Sequence, residues 1–179
     1  MRKLSELEGV CLGIVSKLHP CTGYRIRCAL KEAPSSHWRA SAGSVYPLLA
    51  RLAEEGLVST TSDAGDGRGR KLLKMTAKGR KSLRHWISIA ADRDLIASVT
   101  DPIRSRVFFL DALDPPRQIV FIDDLISQME SYVAETRAHL GSKSESADPY
   151  GFLGSLGASK ISEARLEWLK LVRTQLSSK

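Results

Sequence analysis

The amino-acid sequence predicts a mainly α-helical fold with a small β-hairpin wing, in which a winged helix-turn-helix precedes a C-terminal helical dimerisation arm. Two observations support this prediction. In the first half, three short amphipathic segments precede two strands that flank a glycine-rich turn, which is the order of elements in a winged helix-turn-helix. In the second half, long apolar stripes recur at helical spacing. We therefore expect two domains, at residues 1–90 and 101–179.

The distribution of charge supports the same division. The 179 residues have a net charge of +7, but residues 1–90 hold 16 basic and 7 acidic residues, whereas residues 91–179 hold 11 basic and 13 acidic residues. The first half therefore has a net charge of +9 and the second half a net charge of −2. This asymmetry predicts a basic module that meets phosphate groups, joined to a part with another task.

The first two helices are predicted by apolar periodicity and by the residues that end each run. In the first helix, apolar residues recur at steps of three and four: Leu4, Leu7, Cys11, Ile14 and Leu18. His19-Pro20 ends this run, because proline cannot continue the hydrogen bonding of a helix. Thr22 is a suitable N-cap for a second helix, which ends at Ala33-Pro34.

The third helix is followed by a hairpin and a fourth helix. Its apolar stripe is Val45, Leu48, Leu49 and Leu52. Pro47 lies in its first turn, where the missing N–H has no partner within the helix, and Gly56 ends the helix. Residues 57–62 and 70–75 read as strands around a glycine-rich turn, so we expect a hairpin. Thr76 is then placed to cap the fourth helix.

In the second half, two aspartate-proline pairs, Asp101-Pro102 and Asp114-Pro115, are typical helix starts. The glycine- and serine-rich residues 141–157 are predicted to form a flexible connection between two long helices. The apolar residues of the two helices form the predicted dimerisation face: Ile119, Ile122, Ile126, Met129, Val133, Leu140, Ile161, Trp168, Leu171 and Val172. A helix pair alone buries too little surface to be stable, which favours a homodimer. The alternative is an intramolecular bundle with the winged domain.

Several classes of protein are disfavoured by missing signals. No apolar run approaches the roughly 20 residues of a membrane helix, so no membrane partner is expected. Residues 1–8 lack the apolar core of a secretory signal, which predicts a cytoplasmic protein. Three cysteines without C-x-x-C spacing and scattered histidines predict no metal site. The glycines of residues 65–69 lack the dinucleotide-binding spacing, and no catalytic motif occurs, so neither a cofactor nor an enzyme is expected.

A family resemblance rests on several short motifs that occur in a fixed order. They are Gly23-Tyr24, Trp38, Ser41-x-Gly43-Ser44-x-Tyr46-Pro47-x-Leu49-x-Arg51-Leu52, Glu55-Gly56-Leu57-Val58, Arg70-Lys71 and Thr76-x-x-Gly79. This pattern resembles the PadR family of bacterial transcriptional regulators over residues 4 to 90. The resemblance implies a winged helix-turn-helix that binds DNA and a helical C-terminal domain that pairs two subunits. It also implies that some members release DNA on binding a small aromatic compound. One departure is Leu72-Leu73, where many members have an aromatic pair.

The residues expected to contact DNA lie in helix two, in helix three and at the wing. They are Tyr24, Arg25, Ser41, Gly43, Ser44, Tyr46, Pro47, Arg51, Arg68, Arg70 and Lys71. Each has an ordinary structural alternative. The serines could simply cap the third helix, and Arg51 could pair with Glu54 or Glu55. Tyr24 could pack against helix three, the wing cations could belong to a solvated turn, and Trp168 could be an interface anchor instead of part of an effector site.

Together these features predict a sequence-specific regulator of transcription, most simply a repressor, that binds double-stranded DNA as a homodimer. Two recognition helices about 34–36 Å apart would require a roughly palindromic operator. The competing hypothesis is a winged-helix module that binds another protein without specific DNA binding.

Overall fold

The structure is a computed structural model and describes residues 2–32, 42–62, 71–88 and 101–178. The chain divides into two compact units, Met1–Ile96 and Ala97–Lys179. The fold class expected from the sequence is confirmed, since the described residues are mainly helical with one small antiparallel sheet.

The N-terminal unit contains four α-helices, a 3-10 turn and three strands among its described residues. These elements are α1 (Glu6–Leu18), β1 (Cys21–Thr22), α2 (Gly23–Glu32), the 3-10 turn (Ala42–Ser44), α3 (Val45–Glu54), β2 (Val58–Ser62), β3 (Lys71–Met75) and α4 (Ala77–Ser88). The strand order is β1-β3-β2, with both pairs antiparallel. Strands β2 and β3 are the predicted hairpin, and Thr60 lies opposite Leu73 in it.

Strand β1 was not predicted. Cys21 lies between the predicted first and second helices, but in the structure it pairs with Leu73 and is almost fully buried. A two-residue strand is too short to show alternation between apolar and polar residues, so periodicity cannot reveal it. The pairing joins the start of α2 to the wing strands, and Leu73, at the family's aromatic position, is buried there.

The predicted caps of the N-terminal unit are confirmed. Thr22 Oγ1 accepts a hydrogen bond from the Arg25 N–H at 3.3 Å, and Thr76 Oγ1 accepts one from the Gly79 N–H at 2.9 Å. Gly56 has φ of +70°, the left-handed conformation that favours glycine after a helix. These contacts fix where α2, α3 and α4 begin or end.

One apolar core holds the three helices and the sheet together. It is formed by fully buried side chains from α1, α2 and α3, with one face of the sheet closing it. Its largest members are Leu12, Val15, Ile26, Leu30, Val45, Leu52 and Val58. Because each helix contributes one stripe, the opposite faces of α2 and α3 remain exposed.

The C-terminal unit contains α5 (Pro102–Val107), a 3-10 turn (Leu110–Ala112), α6 (Pro115–Gly141) and α7 (Pro149–Ser177). Asp101 and Asp114 cap α5 and α6, as their positions before proline predict. The prediction of a flexible connection over residues 141–157 is wrong for its second part, because α7 already begins at Pro149. Asp148 accepts a hydrogen bond from the Gly151 N–H at 3.1 Å, and this cap starts a helix in spite of the glycines that follow.

Helices α6 and α7 pack against each other along their length. Ile122, Met129, Val133 and Leu169 form the buried centre of this contact. Thr136 and Ser162 share a buried hydrogen bond of 2.9 Å between their hydroxyls, so the small polar residues of the seam are satisfied. Arg137 and Glu163 form an ion pair across the same two helices at 2.8 Å. No helix within the described ranges is long and apolar enough to cross a membrane.

The predicted dimerisation residues separate into three groups. Ile122, Met129 and Val133 are buried within the unit, so the chain itself covers the centre of the predicted stripe. Five others are half-buried: Ile119, Ile126, Leu140, Trp168 and Val172. Ile161 and Leu171 on α7 are each 65% exposed. The spacing of these residues predicts apolar helix faces, but it cannot distinguish a face that packs within one chain from a face that packs against a second chain.

Gly79 gives a test of the packing between α4 and the end of α3. A Cβ at this position would clash with the Leu57 carbonyl oxygen and lie 2.7 Å from Met75 Sδ. We predict that Gly79→Ala lowers the free energy of unfolding by about 1–3 kcal/mol, because the backbone cannot move aside cheaply. Gly13→Ala is the matched control, since its Cβ meets nothing within 4 Å and the change should raise helix stability by up to about 1 kcal/mol. Equal effects of the two changes in urea denaturation would contradict this packing.

Candidate nucleic-acid interface

The outer face of α3 has the polar and aromatic side chains expected of a recognition helix. Val45, Leu48, Leu49 and Leu52 are buried. Tyr46 is 53% exposed, and Pro47 is exposed beside it in the first turn. Gly43 and Ser44 are exposed just before the helix. Ser44 occupies the N-cap position, but its side chain makes no capping hydrogen bond, so capping does not explain this serine.

Tyr24 and Arg25 lie on the exposed face of α2. The Tyr24 side chain is 59% exposed, so more than half of its surface is open to solvent. A hydrogen bond with Cys28 raises the pKa of Tyr24, and the Arg27 guanidinium lies 5.5 Å from the ring centroid. This hydrogen bond favours the protonated phenol, which can donate to an anionic oxygen only by exchanging Cys28 for it.

The structure brings Tyr24, Tyr46 and Lys71 to one hollow of about 780 Å³ between α2, α3 and the sheet. It is lined by Thr22, Gly23, Tyr24, Tyr46, Leu49, Ala50, Ala53, Thr60, Lys71 and Leu73. A Cβ on Gly23 would lie 3.1 Å from Tyr46 Cε1, so glycine leaves room for that ring at the start of α2. The lining combines apolar side chains with hydroxyls and one ammonium group. Helix two, helix three and the wing therefore present donors to one side of the unit.

The cations at the start of α4 support the wing. Lys78 Nζ donates to the Glu55 carbonyl oxygen at 2.6 Å, and Arg80 Nη1 donates to the Met75 carbonyl oxygen at 3.1 Å. Both contacts join α4 to the chain segments that flank the hairpin. These residues therefore have a structural task.

Arg51, predicted to contact DNA, has a partner that the sequence did not reveal. Its Nε and Nη2 donate to Glu8 Oε1 at 3.2 and 2.7 Å. Arg2 Nη1 donates to Glu8 Oε2 at 2.7 Å, and its Nη2 lies 2.8 Å from Glu55 Oε2. The suggested Arg51 partners were Glu54 and Glu55, but the observed partner is Glu8. The Ser5-x-x-Glu8 spacing indicates a capping box, which the structure contains, yet it gives no sign of the arginines.

Glu8 is a buried carboxylate that stays ionised. Only 2% of its side chain is exposed. Hydrogen bonds from Arg2, with further ones from the Ser5 N–H and Arg51, lower the pKa of Glu8 to about 2 although burial opposes ionisation. We call Arg2, Glu8, Arg51 and Glu55 the Glu8 cluster. It fastens both the N-terminal segment and the last turn of α3 to α1.

Some predicted contact residues lie outside the described residues, namely Ser41, Arg68 and Arg70. Their assignment to DNA contacts stays a prediction. Within the described part of the chain, no group of three or more His, Cys, Asp or Glu side chains could hold a metal ion.

Comparison with known proteins identifies this unit. Residues 11–85 match the model of the transcriptional regulator PadR-like family. Residues 11–85 therefore form a PadR-like domain. The PadR-like domain includes α2, α3 and both wing strands, which are the elements around the hollow.

Similar proteins match the chain well beyond the PadR-like domain. The negative transcriptional regulator PadR of Bacillus subtilis (strain 168) is 22% identical over 147 residues, which are 82% of this chain and 79% of that protein. The structure of B. subtilis PadR in complex with operator DNA superposes with a TM-score of 0.83 at 20% identity, covering 96% of this chain and 99% of that one. The Vibrio cholerae virulence activator AphA gives a TM-score of 0.73 at 19% identity, covering 97% and 99%. These structural likenesses show that both units share the fold of known regulators.

The Glu8 cluster predicts a specific dependence of stability on pH. Because the pKa of Glu8 is lower in the folded state than its usual value of 4.5, the cluster stabilises fully above about pH 4.5 and loses this effect as pH falls toward 2. We expect Glu8→Gln to be less stable at pH 7 and to lose less stability than the wild type between pH 4.5 and 2. Glu6→Gln, at an exposed position of the same helix, is the control. Parallel wild-type and Glu8→Gln curves in denaturant titrations would contradict the assignment.

Proposed function

We propose that the protein is a sequence-specific DNA-binding transcriptional repressor that acts as a homodimer in the cytoplasm. The observation that carries this proposal is the exposure of Tyr24, Tyr46 and Lys71 around one hollow of the PadR-like domain. Repression is favoured because the similar protein of B. subtilis is a negative transcriptional regulator. A role in binding, without catalysis, is consistent with a family of transcriptional regulators.

In the proposed complex, α3 enters the major groove. Tyr46 and Pro47, with Gly43 and Ser44, lie at its exposed N-terminal end, where a recognition helix reaches base edges and phosphates. Tyr24 donates to a phosphate oxygen, since its phenol is exposed and protonated. Arg25, exposed on the same helix, adds a cation to this side.

The wing supplies the sequence-independent part of the contact. Arg68, Arg70 and Lys71 bring three cations to the hairpin, and Lys71 is exposed at the start of β3. Cations on a hairpin can follow the phosphate backbone or enter a narrow minor groove. The relative B. subtilis PadR has been crystallised with operator DNA, which makes duplex DNA the first ligand to test.

Homodimerisation follows from the apolar residues that the C-terminal unit leaves exposed. Ile161 and Leu171 on α7 and Val120 on α6 are each more than half exposed. Burying such residues against a second chain would be favourable by about 25 cal/mol per Å² of apolar surface. A two-fold dimer would present two copies of α3 to a roughly palindromic operator.

We also propose that a small aromatic compound releases the DNA. The support is the crystal structure of B. subtilis PadR with p-coumaric acid, which has a TM-score of 0.74 to this chain at 18% identity and covers 97% of this chain and 98% of that one. Trp168 on α7 is half-buried and offers a flat apolar wall for such a compound.

The salt dependence of DNA binding tests the wing. The wild type should bind DNA from upstream of its own gene more tightly than a scrambled duplex, and log affinity should fall steeply with log salt. The double change Arg68→Ala/Arg70→Ala should weaken binding to both duplexes and lower the salt slope by about 2, since two phosphate contacts are lost. Lys170→Ala on α7 is the control. Equal affinity for the scrambled duplex, or a flat salt dependence, would favour a protein-binding module.

Sedimentation of the full chain tests the homodimer. Ile161→Asp and Leu171→Asp should shift the protein toward monomer, because each places a charge at an exposed apolar position. Both changes should leave the helical content unchanged, since neither side chain is buried in the unit. Thr174→Asp, at another exposed position of α7, should remain dimeric. A wild-type monomer, or a dimer that resists both changes, would overturn this assignment.

A mobility-shift titration tests the effector. We expect p-coumaric acid, or a related small aromatic acid, to lower the affinity of the wild type for DNA at millimolar concentration. Trp168→Leu should require more of the compound for the same release. If none of a series of aromatic acids changes the affinity, the effector proposal is wrong and the DNA-binding proposal is unaffected.

A further inference from the structure

The Glu8 cluster concentrates its contacts on the last turn of the proposed recognition helix. Arg51 lies in the last turn of α3, and Glu55 is its C-cap residue. Arg51 reaches Glu8 with two of its nitrogens, while Arg2 binds Glu8 and Glu55 together. One buried carboxylate on α1 is thus connected to two residues at the end of α3.

The cluster leaves Arg51 poorly suited to a phosphate contact. Its four side chains comprise two guanidinium groups and two carboxylates, so the cluster as a whole is neutral. To bind a phosphate with its Nε and Nη2 fork, Arg51 would have to leave Glu8, which is 2% exposed. A buried carboxylate that loses one of its partners is strongly destabilised. Although the Arg51 side chain is 55% exposed, its Nε and Nη2 edge is therefore already occupied.

We infer that Arg51 is a positioning residue that acts on DNA recognition through Glu8 and not through a phosphate. This inference rests on the proposed function. The ion pair fixes the rotation of α3 about its axis, and that rotation determines where Tyr46 and Pro47 point at the other end of the helix. Loss of the pair therefore reduces discrimination between sequences, whereas the number of phosphates that the protein neutralises stays the same.

Two measurements separate this role from a direct contact: the ratio of affinities for operator and scrambled DNA, and the salt slope. We expect Glu8→Gln and Arg51→Gln each to lower operator affinity about tenfold, with little change in affinity for scrambled DNA or in salt slope. The double variant should discriminate no worse than Glu8→Gln alone, since that change already removes the contact with Arg51. A direct phosphate contact would instead lower the slope by about 1 and weaken binding to both duplexes when Arg51 alone is changed.

Arg51→Lys keeps the charge and is a second test that does not depend on whether Glu8→Gln folds. Lysine cannot reproduce the fork of Nε and Nη2 on Glu8 Oε1, so this variant should lose discrimination like Arg51→Gln. Wild-type discrimination by Arg51→Lys, or by Glu8→Gln, would overturn the inference. The matched control is Glu130→Gln, which removes an exposed ion pair with Lys170.

The wild type distinguishes failure of the inference from failure of the proposed function. If it shows no preference for any upstream DNA over scrambled DNA, the proposed function is wrong and the inference falls with it. If the wild type discriminates and Arg51→Gln lowers the salt slope, only the inference is wrong.

Discussion

Burial of the Glu8 carboxylate is the constraint on which the arrangement of the N-terminal unit depends. A charge removed from water is tolerated only where partners satisfy it, and Glu8 is satisfied by Arg2, by the Ser5 N–H and by Arg51. These partners come from the N-terminal segment, the start of α1 and the end of α3. The apolar core by itself determines only which helix faces are buried. The ion pairs of Glu8 in addition connect one position of α1 to the N-terminal segment and to the end of α3.

The apolar core and the ion pair of Arg51 determine which side chains of α3 are buried, which are held at the surface and which remain exposed. The inner stripe of α3 packs against α1 and α2, Arg51 is held by Glu8, and Tyr46 and Pro47 remain outward beside Tyr24. The β1-β3 pairing brings Lys71 to the same hollow. The proposed DNA surface thus consists of what the core and the Glu8 cluster leave exposed.

Periodicity and capping explain how much of the structure the sequence predicted. The stripe of α3, the caps Thr22 and Thr76, and the aspartate-proline starts of α5 and α6 depend on local spacing, and all were confirmed. The contacts that were missed are long-range. Cys21 pairs with a strand about 50 residues later, and Arg51 lies 43 residues from Glu8. The start of α7 was missed because glycine composition suggested a loop, whereas the Asp148 cap and tertiary packing favour a helix.

Amide hydrogen exchange tests the central claim most directly. It is measured on the full chain, with and without a DNA duplex that the protein binds in a mobility-shift experiment. The central claim is that α2, α3 and the wing strands together form the surface that meets DNA. It predicts that DNA slows exchange in Gly23–Glu32, Val45–Glu54 and Lys71–Met75. Slower exchange confined to Pro115–Gly141 and Pro149–Ser177, with none in these three segments, would contradict the account.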